Sequence, residues 1–198
     1  SFGRNSLVKA GLPAFLLIMK KKQTSLIKEF FKSVITSLIF VMVLTNFIVK
    51  PIKVNGSSMY PTLKDQSLGF ANILSYQLFG VDRFDVVIVY VEVLDEHLVK
   101  RVIALPNEIV EMKDDKLFVD GVLIDQNFLD VDYLKGFNQF TTSFGPLKVG
   151  ENEVFLLGDN RPYSSDSRVF GAFSLEDVIA KDTYVFYPLH EINWFKGK

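Results

Sequence analysis

Twenty consecutive residues, Phe30–Val49 (FFKSVITSLIFVMVLTNFIV), carry a single charge, Lys32, and that charge lies near their start. At about 1.5 Å per residue a helix of this length spans roughly 30 Å, the thickness of a hydrocarbon core. A buried core helix is the competing reading, but such a helix rarely lacks a polar stripe over five turns. Beyond Val49 the pattern changes to short runs rich in Val, Ile, Phe and Tyr: 85–93, 98–105, 107–112, 116–124, 152–160 and 183–188. Gly, Pro, Asn and Asp separate them, which predicts an antiparallel or mixed β domain. Asp120-Gly121 between two alternating runs predicts a hairpin. Leu175–Ala180 reads as a short helix capped by Ser174. No internal repeat or low-complexity segment interrupts the pattern.

Charge orients the long apolar segment. Residues 1–49 hold seven Lys/Arg and one acid, a balance of +6, so the formal total of -1 leaves -7 for residues 50–198. Five lysines (Lys20, Lys21, Lys22, Lys28 and Lys32) precede or open the span and only Lys50 and Lys53 closely follow it, which places the N-terminus in the cytoplasm. The expected organisation is a basic cytoplasmic tail at 1–29, a transmembrane anchor at 30–49 and an extracytoplasmic domain at 50–198. A cleaved signal peptide is the rival, but the run is long for an h-region and no small-x-small site follows it before VKPIKV. Met19 followed by three lysines reads as a natural start, which makes residues 1–18 candidates for sequence not native to the protein.

Composition excludes several chemistries. There is no cysteine, so disulfides, thiolate metal sites and cysteine nucleophiles are ruled out. With two histidines a multi-histidine metal centre is improbable, and no cofactor is implied. The acidic balance of the outer part speaks against nucleic acid as a partner.

Three stretches remain as candidate chemistry. In NGSSMYPTL (55–63), Asn55-Gly56 favours a turn and Pro61 keeps Tyr60 from a helix, so Ser57, Ser58 and Met59 sit in irregular backbone. Such backbone suits an exposed nucleophile whose own amide faces an oxyanion, although a serine pair also simply fills loops. A serine needs a base. In a regular strand over 97–105, Leu98, Lys100, Val102 and Ala104 share one face, and His97, Val99, Arg101 and Ile103 the other. Lys100 therefore points among apolar neighbours. An ordinary lysine is neutral in about one molecule per thousand near pH 7.4, and desolvation lowers a lysine pKa by as much as about 3 to 5 pH units. A lysine snorkelling from the sheet edge is the bland alternative.

His97 competes as base in a Ser-His-Asp arrangement but faces away from Lys100 and follows an acidic turn, which fits a solvated strand start. His190 reads as structural. In GDNRPYSSDSR (158–168), an extended segment would project Ser164, Asp166 and Arg168 to one side, with Asp166 and Arg168 bracing each other. A surface loop with a local ion pair is the alternative.

Together these stretches resemble the type I signal peptidases, membrane-anchored Ser-Lys proteases, in their Gram-positive-like single-anchor form. The resemblance covers roughly residues 30–190, in the order anchor, G-x-SM-x-PTL (Gly56–Leu63), DVV (Asp85–Val87), KRVI (Lys100–Ile103) and GDNR-x-x-S-x-DSR (Gly158–Arg168). It implies a mainly β, signal-peptidase/LexA-like catalytic domain with a small β extension after one N-terminal transmembrane helix. It further implies Ser58 as nucleophile and Lys100 as general base. The Ser58 amide would be an oxyanion donor, Ser164 would orient the lysine amine, and Asp166, Arg168 and Asp159 would support them. Val54, Asn55, Gly56, Met59, Leu98 and Val99 would bind substrate, in shallow pockets for small residues. The implied partners are signal-peptide-bearing preproteins and membrane lipid.

Departures from the family's commoner pattern are Gly56 where some members carry serine, Leu98 where tyrosine is frequent, ALPNE (104–108) for GLPGD and RFD (83–85) for RGD. A non-catalytic or substrate-dedicated relative in pilus or surface-protein assembly is the alternative function. A self-cleaving Ser-Lys repressor would need a DNA-binding domain and no membrane span.

Overall fold

The computed structural model describes the backbone of residues 5–195, and side chains from Gln23 onward except Thr24. The first four residues of the 1–18 segment, and every side chain in it, lie outside that description. Residues 1–44 and 45–198 form two separate compact units. The first is helical: α1 runs Asn5–Phe47, and Ser25–Phe47 is long and apolar enough to cross a membrane, with none of that stretch buried in protein. Its polar residues Glu29, Lys32, Ser33, Thr36 and Ser37 lie together on one side, and most of the remaining surface is apolar.

The second unit is β-rich. Its larger sheet has eight strands: β1 (Val49–Lys53), β2 (Leu68–Asn72), β11 (Val178–Tyr187), β3 (Val86–Val91), β4 (Glu96–Ala104), β9 (Glu153–Leu157) and β10 (Phe173–Ser174) in spatial order, with β12 (Asn193–Phe195) also paired to β11. The smaller sheet runs β7 (Val122–Ile124), β6 (Lys116–Val119), β5 (Ile109–Lys113), β8 (Phe144–Lys148). All pairings are antiparallel. One core cluster joins the sheets, with Ile103, Ala104, Phe155 and Leu157 from the larger meeting Val110, Met112, Leu117 and Val119 from the smaller.

Local chemistry explains much of this. Asp120 and Gly121 both take positive φ (50° and 76°), the geometry of the two-residue hairpin their sequence predicts. The short helix expected at 175–180 is cut to one 3-10 turn, Leu175–Asp177, under the Ser174 cap, because Val178 and Ala180 are buried as part of β11. Val49, expected to end the span, opens β1 instead.

Pairing leaves two edges open where they matter. β4 pairs with β3 along Glu96–Arg101 but with β9 only from Arg101 onward, so among the described residues the outer edge of 96–100 has no partner strand. β1 pairs only with β2. Residues of both open edges line one groove of about 420 Å³, among them Ile52, Asn55, Leu98 and Val99.

Candidate active site

Ser58 sits in a loop that is pinned on both sides. Val54 before it and Met59 after it are buried in one apolar cluster with Leu63, Val86 and Val185. Between these anchors Gly56 turns at φ +92°, and the Tyr60 amide donates to the Ser57 carbonyl at 3.0 Å. Asn160 clamps the loop from outside: its amide donates to the Ser58 carbonyl at 3.0 Å and its Nδ2 to the Ser57 carbonyl at 2.8 Å. The Ser57–Ser58 peptide bond is trans, so its N–H points opposite to its C=O. With the carbonyl turned toward Asn160, the Ser58 amide faces away from the clamp, and among the described hydrogen bonds it has no acceptor. The Gly56 amide, by contrast, is taken by Asp65 Oδ1 at 2.8 Å.

Lys100 is only 2% exposed, on the strand face that also carries Leu98 and Val102, both packed in the cluster of Val87, Val89 and Leu156. Its Nζ donates to Ser164 Oγ at 3.2 Å. Among the described hydrogen bonds none joins it to the Ser58 hydroxyl, which is half-buried. Burial pushes the lysine down from 10.5 to about 8, with Asp166 pulling up, Arg168 pulling down and Asp159 pulling up as lesser influences. At that value roughly a fifth of molecules carry a free amine near pH 7.4, against about one in a thousand for an ordinary lysine.

Two ion pairs brace the surroundings. Arg168 clasps Asp166 through Nε–Oδ1 and Nη2–Oδ2, both 2.8 Å, and Asp166 also accepts from the Gly158 amide at 3.0 Å. Burial raises the Asp166 carboxyl, but the Arg168 hydrogen bond and charge, with the Gly158 amide and Ser164 hydroxyl, hold it below the ordinary carboxylate range. The segment is not extended here: Asp166 caps a single helical turn, α4 (Ser167–Phe170), and that turn brings Arg168 back onto it. Asp159 is bound by Arg101, Nε at 2.8 Å and Nη2 at 2.6 Å, and accepts from Thr62 Oγ1 at 2.6 Å, which ties the serine loop to the 158–168 stretch.

Gly158 is the close approach that makes the arrangement possible. A Cβ there would collide with the Ser164 hydroxyl and the Ser58 carbonyl, and would stand 2.7 Å from the Ser164 Cβ. Ser58, Ser164 and Lys100 therefore converge around one residue that has no side chain.

The other sequence-derived candidates separate into two groups. Asn55, Leu98 and Val99 line the groove between the open edges, whereas Val54 and Met59 lie within the core. His97 is exposed and packs on Tyr90 at 5.3 Å. His190 is exposed beside Glu191. Among the described residues no group of His, Asp and Glu could hold a metal ion. Sequence reasoning gave no role to Arg101, Asn160, Thr62 or Gly158. Arg101, Asn160 and Thr62 bond to residues 58 or more positions away, and membership of the motif stretches was the one signal that marked all four.

Two outcomes follow from this geometry. Gly158→Ala should lower kcat/KM at least about 100-fold, since misplacing a reacting group by about 1 Å has that effect, with a stability loss of about 1–3 kcal/mol in denaturant titration. The drop of the Lys100 pKa from 10.5 to about 8 corresponds to about 3 kcal/mol of destabilised ammonium. Because the folded state binds fewer protons than the unfolded one between those two values, stability gains from this group as pH rises from about 8 to 10.5, and its penalty is fully present below 8. Lys100→Met should therefore raise stability at pH 7 by about 1–3 kcal/mol, a gain that shrinks toward pH 10.5 when unfolding is followed across pH.

Residues 27–187 match the family described as signal peptidase, peptidase S26. The chain is 37% identical over 180 residues to signal peptidase I S of Bacillus subtilis (strain 168), covering 88% of this chain and 95% of that protein. It is 32% identical over 177 residues to signal peptidase IB of Staphylococcus aureus (strain MRSA252), covering 84% and 92%. A solved signal peptidase I from Enterococcus faecalis V583 is 32% identical, with a TM-score of 0.48, and covers 51% of this chain and 95% of that one. The match runs from the apolar helix through the last long strand, and the chain belongs to the signal peptidase family, peptidase S26.

Proposed function

We propose that this chain is a signal peptidase I: a membrane-anchored serine endopeptidase that removes signal peptides from secreted preproteins, with Ser58 as nucleophile and Lys100 as general base. The observation that carries the reading is the buried Lys100 amine, depressed to about 8 and held on Ser164 at the loop that presents Ser58. Nucleophile–base contacts often tighten only when substrate is bound, which accommodates the lack of a direct Ser58–Lys100 hydrogen bond.

In this mechanism the Lys100 amine takes the Ser58 proton as Oγ attacks the scissile carbonyl. The resulting oxyanion is met by the outward-facing Ser58 amide. The lysine ammonium then gives its proton to the leaving amine, and the amine so regenerated activates the water that hydrolyses the acyl-enzyme. Ser164 fixes the Nζ direction. Asp166 and Arg168 hold Ser164 in turn, and Asp159 with Arg101 and Thr62 ties the two motif loops together.

The open edges of β1 and β4 suit an extended substrate that adds as a strand, its backbone bonded to both edges and its side chains directed into the groove. Asn55, Leu98 and Val99 line that groove. Val54 and Met59 stiffen the wall behind it, and Gly56 supplies the turn. A shallow groove of this kind favours small residues at alternate positions, the small-x-small pattern that follows an h-region.

Ser25–Phe47 serves as the anchor, and the lysine excess before it sets the N-terminus in the cytoplasm and the catalytic unit outside. Ser58 is the ninth residue after Val49, at most about 30 Å of chain, so the serine works near the outer membrane surface. Exposed Phe70, Leu78 and Phe79 supply an apolar surface for lipid contact.

Full-length protein in detergent should cleave a preprotein, and Ser58→Ala or Lys100→Met should lower kcat at least about 1000-fold. Since only the free amine accepts a proton, kcat/KM should rise with pH to a plateau with a midpoint near 8. A midpoint near 6.5 would instead indicate a histidine. Replacing the small residue before the scissile bond by a bulky one should abolish cleavage, and undiminished cleavage would remove the groove from the account.

A further inference from the structure

Four aromatic side chains stand beside the serine loop, and the mechanism above uses none of them. Tyr60 packs edge-on against Tyr133 at 5.1 Å, Tyr133 against Phe137 at 5.9 Å, and Phe137 against Tyr163 at 6.2 Å. They come from three separate parts of the chain: the turn after Ser58, the segment around α3 (Val131–Leu134), and the turn Arg161–Tyr163 that leads into Ser164. Tyr133 OH donates to Asn160 Oδ1 at 2.9 Å, and Asn160 is the residue that clamps the Ser57 and Ser58 carbonyls. The row is therefore linked to the loop carrying Ser58 through Asn160, and its far end adjoins the serine that holds the Lys100 amine.

Much of this aromatic surface is open. Tyr163 is 66% exposed and Tyr60 37%, an unusual state for rings that have aromatic neighbours to pack against. Partial burial first, and the Tyr163 and Tyr60 hydroxyls next, raise the Tyr133 phenol above its ordinary value, so the three phenols share one small space. The groove between the open edges is lined as far as Asn55, three residues before Ser58, and holds none of the four aromatic residues, whereas Tyr60 stands two residues beyond the serine. With the signal-peptide half of the substrate assigned to the groove, the aromatic row is the exposed apolar surface that remains beside Ser58 for the other half.

The geometry points to Tyr60, Tyr133, Phe137 and Tyr163 as the binding surface for the first residues of the mature segment, the peptide that follows the scissile bond, with a preference for an apolar or aromatic side chain there. This inference rests on the proposed roles of Ser58 and Lys100. The surface is continuous with the site through Asn160, which selects the departing half of the substrate over an unrelated partner. Exposed Asp130, Asp132 and Lys135 flank it, with Lys135 paired to Asp132 at 2.6 Å, so the charge around the row is largely balanced.

The test uses full-length protein in detergent and two preproteins identical up to the cleavage site, with Phe or Gly at the second position of the mature segment. Wild-type enzyme should favour the Phe substrate about five- to tenfold in kcat/KM, the scale of partly burying one aromatic ring. Tyr163→Ala and Tyr60→Ala should bring the ratio of the two kcat/KM values to within about twofold of unity, while Tyr163→Phe, which keeps the ring, should restore it. The ratio is internal to each variant, so a fraction of misfolded protein does not alter it. No preference in the wild type, or an unchanged ratio in both alanine variants, overturns the inference. A preference that emerges only as enzyme concentration rises assigns the surface to a second copy of this chain and also overturns it. Ser58→Ala separates the two layers: cleavage that survives it sinks the proposed mechanism, whereas its loss together with an unchanged ratio in both Tyr163→Ala and Tyr60→Ala sinks only this inference.

Discussion

The proposed active site depends on one unfavourable act, keeping the ammonium of Lys100 out of water. Burial is the largest influence on that lysine, and the charges around it are arranged so that they do not undo burial. Asp166 and Asp159 are both close enough to recharge the amine, and both are clasped by arginine, Asp166 by Arg168 and Asp159 by Arg101. A carboxylate paired in this way can still accept the Gly158 amide or the Thr62 hydroxyl while exerting little net field on a neighbour. The acids thereby act as geometric anchors for the motif loops and leave desolvation as the main influence on the protonation of Lys100.

Desolvating a lysine requires apolar packing around it, and that need shapes the sheet. β4 is covered on both faces: Leu98 and Val102 pack into one cluster, Val99 into others, and a register shift between Val102 and Ala104 turns both Ile103 and Ala104 into the core shared with the smaller sheet. Covering the faces leaves the edges as the only approach. Unpaired edges invite unwanted pairing, and proteins blunt them with proline and charge. β1 carries Lys50, Pro51 and Lys53, and the entry to β4 carries Asp95, Glu96 and His97. The lining of the groove thus carries charge on both edges, Lys50 and Lys53 on one and Asp95 and Glu96 on the other.

How far the sequence revealed this varies with the range of the interaction. Local signals were legible: Asp120-Gly121 forms its hairpin, and strand alternation by itself directed Lys100 inward. Long-range pairings were not. Arg101 reaches Asp159 across 58 residues and Asn160 reaches Ser57 across 103, and no periodicity encodes either. Competition misled as well, since 175–180 has helical pattern over one turn but β11 buries Val178 and Ala180 more effectively. The departures at RFD and ALPNE show backbone winning over side chain. Phe84 and Asn107, which stand where the resembled pattern has glycine, adopt φ +72° and +68°. Asn tolerates that region. For Phe84 it costs about 1–3 kcal/mol, offset by a ring stacked on Phe128 at 4.8 Å and a carbonyl that accepts from Arg101 at 2.8 Å.

The strained Phe84 and the buried amine belong to one chain of cause. The Phe84 carbonyl and the Asp159 carboxylate together satisfy the Arg101 guanidinium, which also lies over the Phe128 ring at 4.4 Å. Arg101 is the residue next to Lys100, on the opposite face of the same strand. Were it not fully paired, an uncompensated cation would be buried one residue from the base, and both the strand and the Asp159 link to Thr62 would loosen. Holding Arg101 fixes β4 in register, and β4 in register is what sets Lys100 against Ser164. The left-handed turn at Phe84 thus presents the carbonyl that holds Arg101 and, through β4, supports the placement of Lys100 against Ser164.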